Sequence, residues 1–256
     1  MSPSIWTRCG GRSNDRPLEG TPWRVVESQQ RISTRQLVDS DAEHGVLEDL
    51  IEGSKPALPR GPGFERLDFL LSSPFRYPPL PHGSRFGTAL ERGIWYGSEL
   101  LETALAEGAY YRLLFFEGTA ADLTPNRIAK SAFQVGVRST AAVDLTRAPF
   151  DVHREVISSK EDYGGSQRLG SEMRESGIEL LRYGSARDPK NGINVALFSP
   201  AAFALAKPLG PSQTWHCTVT PRRDVSWMHE EISGLSKYEF ARSAFLVDGR
   251  FPAAAI

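Results

Sequence analysis

The sequence GSRFGTALERGIWYGSELLETALAEGAYY, residues 83–111, decides the fold. It begins with a Gly-rich turn that carries Arg85, and a short apolar run at 93–97 follows as a predicted strand. A helix is predicted over 99–107. Ser98 is its expected N-cap, because a serine hydroxyl can accept a hydrogen bond from a first-turn amide. This strand–helix unit is the element around which we expect the rest of the chain to pack.

Apolar and small residues recur at helical spacing in the predicted helix, and they form the face expected to be buried: Leu101, Ala104, Leu105 and Gly108. Glu107 falls at the edge of this face. A glutamate there is either a solvated helix residue or a carboxylate held at the rim of a cleft, because Glu is rarely buried without a partner.

These short motifs, in this order, resemble the RES-domain family, the toxin halves of bacterial Xre-RES toxin–antitoxin pairs. The resemblance covers residues 74 to about 203. It rests on Arg-Phe after Gly-Ser, an aromatic pair that ends in Tyr96, and Thr-Ala-Leu-Ala-Glu at 103–107. It implies an NAD-consuming cytoplasmic enzyme whose α+β fold, a mixed β-sheet with flanking helices, is similar to that of ADP-ribosyltransferase toxins. It also implies an Xre-type antitoxin that covers the active site.

The family is named for an arginine, a glutamate and a serine, and it implies roles for several residues. Glu107 matches the glutamate and Tyr96 the tyrosine, whose ring would stack on nicotinamide. Arg76 and Arg85 match two early arginines. An arginine suits a diphosphate because its planar fork of N–H groups carries a permanent charge.

Two serines compete for the third role. Ser185 in Tyr-Gly-Ser-Ala-Arg follows an apolar strand, as the family serine does, whereas Ser199 lies in the later run Asn-Val-Ala-Leu-Phe-Ser-Pro at 194–200. We favour Ser185 and keep Ser199 as the alternative. Asn194 and Arg187 are further candidates for NAD binding, and His82 is a weaker one because it lies close to Arg85 in the sequence.

Cleavage of the nicotinamide–ribose bond passes through an oxocarbenium-like state, so one carboxylate can suffice as the catalytic group. The acceptor of ADP-ribose stays open. Phosphate or water would make the protein an NAD phosphorylase or glycohydrolase, whereas a side chain of a target protein would make it a mono-ADP-ribosyltransferase. A non-catalytic NAD-binding interaction protein is the alternative from a different class.

Composition limits the other function classes. The chain has 256 residues, a net charge of -1 and 40% hydrophobic residues, which is typical of a globular protein without the basic surface that nucleic-acid binding needs. The two cysteines, Cys9 and Cys217, match no metal spacing, and we expect no metal cofactor. No apolar run is long enough to cross a membrane, and a cytoplasmic location is expected.

The chain is divided at residue 64. Residues 1–64 are predicted to form an N-terminal extension with one amphipathic helix, and a capping box formed by Ser40 and Glu43 marks the start of that helix. Residues 1–22 are expected to be loosely ordered. The sequence becomes apolar at Trp-Arg-Val-Val, residues 23–26. Residues 65–256 are predicted to be the catalytic domain. There, 74–79 is expected to be extended, 164–175 helical, and the remaining apolar runs to be strands: 132–138, 178–183, 193–198, 213–220, 225–229 and 238–247.

Overall fold

The computed structural model describes residues 3–28, 32–35, 37–57, 59–61, 63–120, 125–232 and 234–252. Their centre is a mixed sheet with helices on both faces, which confirms the predicted α+β class. The strands are β1 (Arg16–Gly20), β2 (Trp23–Glu27), β3 (Trp95–Ser98), β4 (Asn126–Gln134), β5 (Val137–Asp144), β6 (Leu180–Gly184), β7 (Ile193–Leu197), β8 (Leu209–Val219), β9 (Val225–Glu231) and β10 (Gly234–Phe240).

The order of the strands across the sheet is β1-β5-β6-β7-β3-β2-β4-β8-β9-β10. β5 and β6 run parallel, and the other neighbouring pairs run antiparallel. The weakest junction lies near the middle, where β2 and β3 pair through Trp23 and Ser98 alone. The two strands diverge beyond that pair, and this gap in the sheet positions the site described below.

The helices are α1 (Ile5–Arg8), α2 (Ile32–Arg35), α3 (Asp41–Ser54), α4 (Phe69–Arg76), α5 (Leu101–Glu117), α6 (Arg154–Ile157) and α7 (Gly164–Glu175). On one face of the sheet, α5 packs Leu105 and Leu113 against Trp227, while α7 packs against β6 and β7. On the other face, α4 buries Leu71 and Phe75 against Trp95. Burying these side chains supplies the main drive for folding, at about 1.5–3 kcal/mol for each large residue.

The central helix is longer than its periodicity predicts. α5 ends at Glu117, ten residues beyond the predicted end at residue 107. Several of its sides are buried, so the spacing of apolar residues in the sequence does not show where the helix ends. The expected N-cap is wrong: Leu100 holds that position without a side-chain bond, and Ser98 lies in β3. The Ser98 hydroxyl instead donates a hydrogen bond to Oδ1 of Asn194 at 2.7 Å.

Three further local predictions are corrected. Residues 74–76 form the last turn of α4, so only the segment after it is extended. The single strand expected over 132–138 is the end of β4 and the start of β5, with a break at Val135 and Gly136. In the segment expected to be loosely ordered, β1 pairs with β5 along the edge of the sheet.

The segment 1–64 supplies more than a helix. One half of its capping box is confirmed: the Ser40 hydroxyl accepts a hydrogen bond from the Glu43 amide at 3.2 Å. In the other half, the Glu43 carboxylate accepts a hydrogen bond from the amide of Asp39 and not from that of Ser40. The helix packs less than predicted, because Val46 and Leu50 are 60% and 66% exposed. β2 of the same segment lies inside the sheet, so residues of this segment and of the predicted catalytic domain share one core.

No helix in the described part of the chain is long and apolar enough to cross a membrane. Cys9 and Cys217 are buried free thiols, and over the same residues no group of three His, Cys, Asp or Glu side chains lies close enough together to hold a metal ion.

Candidate active site

A cavity of about 350 Å³ opens on the α5 face of the sheet, beside the gap between β2 and β3. Residues of β2, β3, α5, β6 and β7 and of two loops form its wall. They include four of the residues predicted for the site, together with an arginine and three further tyrosines: Arg85, Tyr96, Glu107, Asn194, Arg24, Tyr111, Tyr163 and Tyr183. The fold therefore brings together residues that are up to 170 positions apart in the chain.

Glu107 is held in one orientation by two donors. Its Oε1 atom accepts from Oγ of Ser185 at 2.6 Å and from Nδ2 of Asn194 at 2.6 Å. Ser98 in turn donates to the amide oxygen of Asn194, which fixes the side of the amide that faces Glu107. Because Oε1 takes both of these bonds, Oε2 is the carboxylate atom left for a ligand in the cavity.

Ser185 acts as a bridge between the carboxylate and a tight turn. Its oxygen accepts from the amides of Arg187 at 3.1 Å and Asp188 at 2.9 Å while its hydroxyl donates to Glu107. The turn is closed at Gly192, where an added Cβ would lie 2.3 Å from an Asp188 carboxylate oxygen. A serine in this place therefore sets the position of Glu107 by ordering the turn and donating to the carboxylate.

Arg85 lies in the turn that the sequence predicted. Gly83 at φ +72° opens this turn, and Ser84 and Gly87 bridge it. Arg85 as a residue is 8% exposed. Its guanidinium donates through Nη1 to the carbonyls of Ile157 and Ser159 and lies 4.6 Å from the ring centre of Tyr163. No ion pair joins it to a carboxylate of the described residues, so its positive charge is available to an anion.

Tyr96 ties the arginine turn to β3. Its hydroxyl lies 2.9 Å from Oγ of Ser84 and accepts from the Phe86 amide at 3.1 Å. Burial raises the pKa of this phenol to about 12, and burial also raises the pKa of Tyr111 and Tyr183 well above the usual tyrosine value. These three phenols are therefore uncharged at neutral pH, and the charges in the cavity wall come from its arginines and Glu107.

The raised pKa values predict how the protein responds to alkali. A tyrosine of raised pKa stabilises the fold fully below its unfolded pKa of about 10, and that contribution is lost as pH rises further. For Tyr96 the loss runs up to about pH 12. We expect three of the seven tyrosines to ionise together with unfolding, which ultraviolet difference spectra and circular dichroism would follow in one titration. Ionisation of all seven before any loss of structure would contradict this.

Several sequence candidates lie elsewhere. Arg76 ends α4 and pairs with Glu52 at 2.9 Å, outside the cavity wall. Ser199 accepts from the Ala201 amide as the N-cap of a short 3₁₀ helix. Arg187 is buried beneath the site with its guanidinium 3.6 Å from the ring centre of Tyr110. His82 does line the cavity.

Arg24 is a cavity residue that sequence reasoning missed. Its Nη1 atom donates to the carbonyl oxygen of Tyr96 at 2.5 Å across the gap between β2 and β3. Its Nε is buried without a hydrogen-bond partner, and burial lowers the pKa of the guanidinium to about 10, which leaves it charged at neutral pH. The sequence pattern that could have indicated Arg24 is a lone arginine within the apolar run at 23–26, because a charged residue is rarely buried in a strand without a partner or a function.

Exchange of each serine for alanine separates the two serine candidates. In Ser185→Ala, the carboxylate of Glu107 loses a donor and two buried amides lose an acceptor, so we expect about 1–3 kcal/mol lower unfolding free energy and weaker NAD turnover. In Ser199→Ala only a cap is lost, at about 1 kcal/mol, with turnover unchanged. Denaturant unfolding and initial rates measure both effects. Equal turnover in the two variants would remove Ser185 from the site.

Comparisons with known proteins place the chain in a family. The RES domain model matches residues 60–220. Among solved structures, the crystal structure of the M. tuberculosis MbcT-MbcA toxin–antitoxin complex aligns over 80% of this chain and 87% of that chain, with 12% sequence identity and a TM-score of 0.45. Curated protein sequences give no match. Because the family model covers more than half of the chain, including the Arg85 turn, α5 and the Ser185 turn, the chain belongs to the RES domain family.

Proposed function

We propose that the protein cleaves the nicotinamide–ribose bond of NAD and transfers ADP-ribose to phosphate or water. The observation that carries the proposal is the Glu107 carboxylate, which Ser185 and Asn194 orient at the wall of an aromatic cavity. Membership of the RES domain family supports an enzyme that acts on NAD.

In this reaction the bond from the ribose C1′ to the ring nitrogen breaks, and its electron pair returns to the nitrogen. Nicotinamide leaves as a neutral molecule, so its departure needs no proton donor. The ribose is left with positive charge on C1′ and the ring oxygen. A carboxylate near that charge stabilises the transition state more than the ground state, and it is most effective when its orientation is fixed in advance. The bonds from Ser185 and Asn194 fix Glu107 in this way.

An oxygen of water or phosphate then forms a bond to C1′, and the released proton passes to solvent. Glu107 accepts hydrogen bonds at Oε1 alone, so Oε2 can accept a hydrogen bond from a ribose hydroxyl or from the incoming acceptor. The aromatic rings of the wall favour this chemistry, because a local environment of low dielectric constant strengthens the attraction between the carboxylate and the cation.

The tyrosines and arginines account for binding. Tyr96, Tyr111, Tyr163 and Tyr183 present rings to the cavity, and a flat nicotinamide can stack on such rings. Arg85 and Arg24 supply two guanidinium groups without carboxylate partners among the described residues, which suits the diphosphate. In this proposal Arg24 has the diphosphate-binding role that the family resemblance implies for Arg76.

We propose that the protein is the toxin of a toxin–antitoxin pair, that it acts in the cytoplasm, and that an Xre-type antitoxin covers the cavity. The RES domain family supports this partner. A side chain of a cellular protein is the alternative acceptor, and it would use the same residues to hold NAD.

The test is incubation of the purified protein with NAD, with and without inorganic phosphate and cell lysate, while nicotinamide release is followed. Release that needs phosphate indicates a phosphorylase, and release in its absence indicates a glycohydrolase. Labelled lysate protein indicates an ADP-ribosyltransferase. Tight NAD binding without release from the folded protein would contradict the catalytic proposal and favour a binding protein.

A further inference from the structure

The serine turn, residues 185–192, lies along one side of α5. Three residues of the helix contact it, at positions i, i+4 and i+7, which share one side of an α-helix: Thr103, Glu107 and Tyr110. Their partners in the turn are Asp188, Ser185 and Arg187, in that order. The turn is therefore held against about two turns of the helix, and the Glu107 contact lies between the other two.

The contact at Thr103 is a buried hydrogen bond to a carboxylate. Oγ1 of Thr103 donates to Oδ2 of Asp188 at 2.7 Å, and the two residues are 0% and 6% exposed. The same carboxylate accepts from the amides of Lys190 at 2.9 Å and Gly192 at 3.2 Å. The backbone of the serine turn thus wraps around one carboxylate, and Thr103 joins that carboxylate to α5.

Gly192 shows how closely the helix and the serine turn pack. A Cβ added at Gly192 would overlap both Oγ1 of Thr103 and Oδ2 of Asp188. The Gly192 carbonyl also accepts from the Ser185 amide at 2.8 Å, which closes the turn. Because no side chain fits between the turn and the helix, their relative position is narrowly defined.

Two more contacts flank this one, and they differ in burial. Arg187 is 3% exposed, and its guanidinium lies 3.6 Å from the ring centre of Tyr110. Lys190 pairs with Glu102 at 2.7 Å, but the lysine side chain is 71% exposed, so water screens the pair and it holds the turn weakly. The buried contacts at Thr103 and Tyr110 therefore set where the turn lies on α5.

The position of the serine turn matters because Ser185 donates to Oε1 of Glu107 at 2.6 Å. The Ser185 oxygen itself accepts from the amides of Arg187 and Asp188, so its direction follows the backbone of the turn. A shift of the turn along α5 would misalign the donor and release the carboxylate. Misplacement of a reacting group by about 1 Å can cost about 10²-fold in rate.

We propose that Thr103 and Asp188 are positioning residues, which hold the Ser185 hydroxyl against Glu107 and thereby keep the carboxylate in its reactive orientation. Neither residue lines the cavity, so both act through Ser185. The inference rests on the proposed function in one respect, that Glu107 supplies the charge which the reaction needs. The attachment of the serine turn to α5 does not depend on that reaction.

Thr103→Val tests the proposal, because valine keeps the shape of threonine and lacks the hydroxyl. We expect kcat for nicotinamide release to fall about tenfold, while KM for NAD stays within about twofold because the cavity wall is unchanged. Thr103→Ser keeps the hydroxyl and should recover most of the wild-type kcat. If Thr103→Val fails to fold by circular dichroism, Thr103→Ala takes its place with the same expectation.

Thr119→Val is the matched control. The Thr119 hydroxyl donates to the Phe115 carbonyl beyond the far end of α5, so its loss should leave kcat within about twofold of wild type. Equal kcat in folded Thr103→Val and Thr119→Val would overturn the inference.

A double variant shows whether Thr103 acts through Ser185. If it does, Thr103→Val should lower kcat no further in a protein that already carries Ser185→Ala, because the hydroxyl that it aligns is gone. Losses that multiply in the double variant would show that Thr103 acts by another route, and they would overturn the inference.

Amide hydrogen exchange gives a measurement that does not depend on NAD. The amides of Arg187 and Asp188 bond to Oγ of Ser185, so their exchange reports on the order of the turn. In Thr103→Val both amides should exchange about tenfold faster or more, and in Thr119→Val as in wild type. Unchanged exchange in Thr103→Val would overturn the inference. Faster exchange in a protein that releases no nicotinamide in any form would overturn the proposed reaction and keep the role of Thr103 in placing Ser185.

Discussion

Glu107→Gln is expected to lower kcat for nicotinamide release by about 10³-fold, the upper range for loss of one preorganised electrostatic group at an active site. Glutamine keeps the volume of the side chain and can still accept from Ser185 and Asn194, so the site should keep its shape. It lacks the negative charge that would stabilise the ribosyl cation. Because that charge matters most in the transition state, KM for NAD should change little.

Glu102→Gln is the matched control. Glu102 lies on the same helix, but its carboxylate pairs with the exposed Lys190 at 2.7 Å and lines no part of the cavity. Its variant should keep wild-type turnover within about twofold, since an exposed ion pair contributes about 0–1 kcal/mol to stability. Equal activity of the two variants would show that Glu107 is not the catalytic carboxylate.

Arg24→Gln and Arg76→Gln are expected to differ by about 10²-fold in kcat/KM for NAD. A hydrogen bond to a charged group contributes about 1.5–3 kcal/mol, and the Arg24→Gln variant would lose such a bond to the diphosphate. Arg76 is already paired with Glu52 and bonded to the Pro56 carbonyl at 2.6 Å, so its loss should leave kcat/KM within about twofold of wild type.

Initial rates over a range of NAD concentrations measure this difference, with thermal unfolding as the control for folding. Arg24→Lys is a useful third variant, because it keeps the charge and loses the planar fork. It should recover part of the affinity for NAD if the arginine binds phosphate oxygens. A large loss in Arg76→Gln with Arg24→Gln unaffected would contradict the structural assignment and return the role to the residue that the sequence suggested.

The sequence predicted the strand–helix unit, the arginine turn and the position of Glu107 because each depends on neighbours within one or two helical turns. It could not show that Oε1 of Glu107 meets Ser185 and Asn194. Those contacts depend on which strands lie side by side, and β3 pairs with β7 across about a hundred residues of chain. Motif order along the chain carries no information about that pairing.

Arg24 and Arg76 show the same limit. Both follow apolar or aromatic residues, and either could contact a diphosphate on the evidence of sequence alone. The difference arises from the sheet: β2 lies beside β3 at the cavity, whereas the end of α4 turns its arginine toward α3. Helix length was also beyond the sequence pattern, because α5 is buried on more than one side and its periodicity is correspondingly weak.

The central place of β2 affects how the protein forms during synthesis. Arg24 is made long before its neighbours in the sheet, because its strand is completed by β3 and β4, and one donor that orients Glu107 comes from Asn194 in β7. At ribosomal rates of about 5–20 residues per second, on the order of ten to thirty seconds separate the two ends of the site. A growing chain therefore carries no assembled site until β7 has left the ribosome, and the slow pairing of distant strands extends that inactive interval.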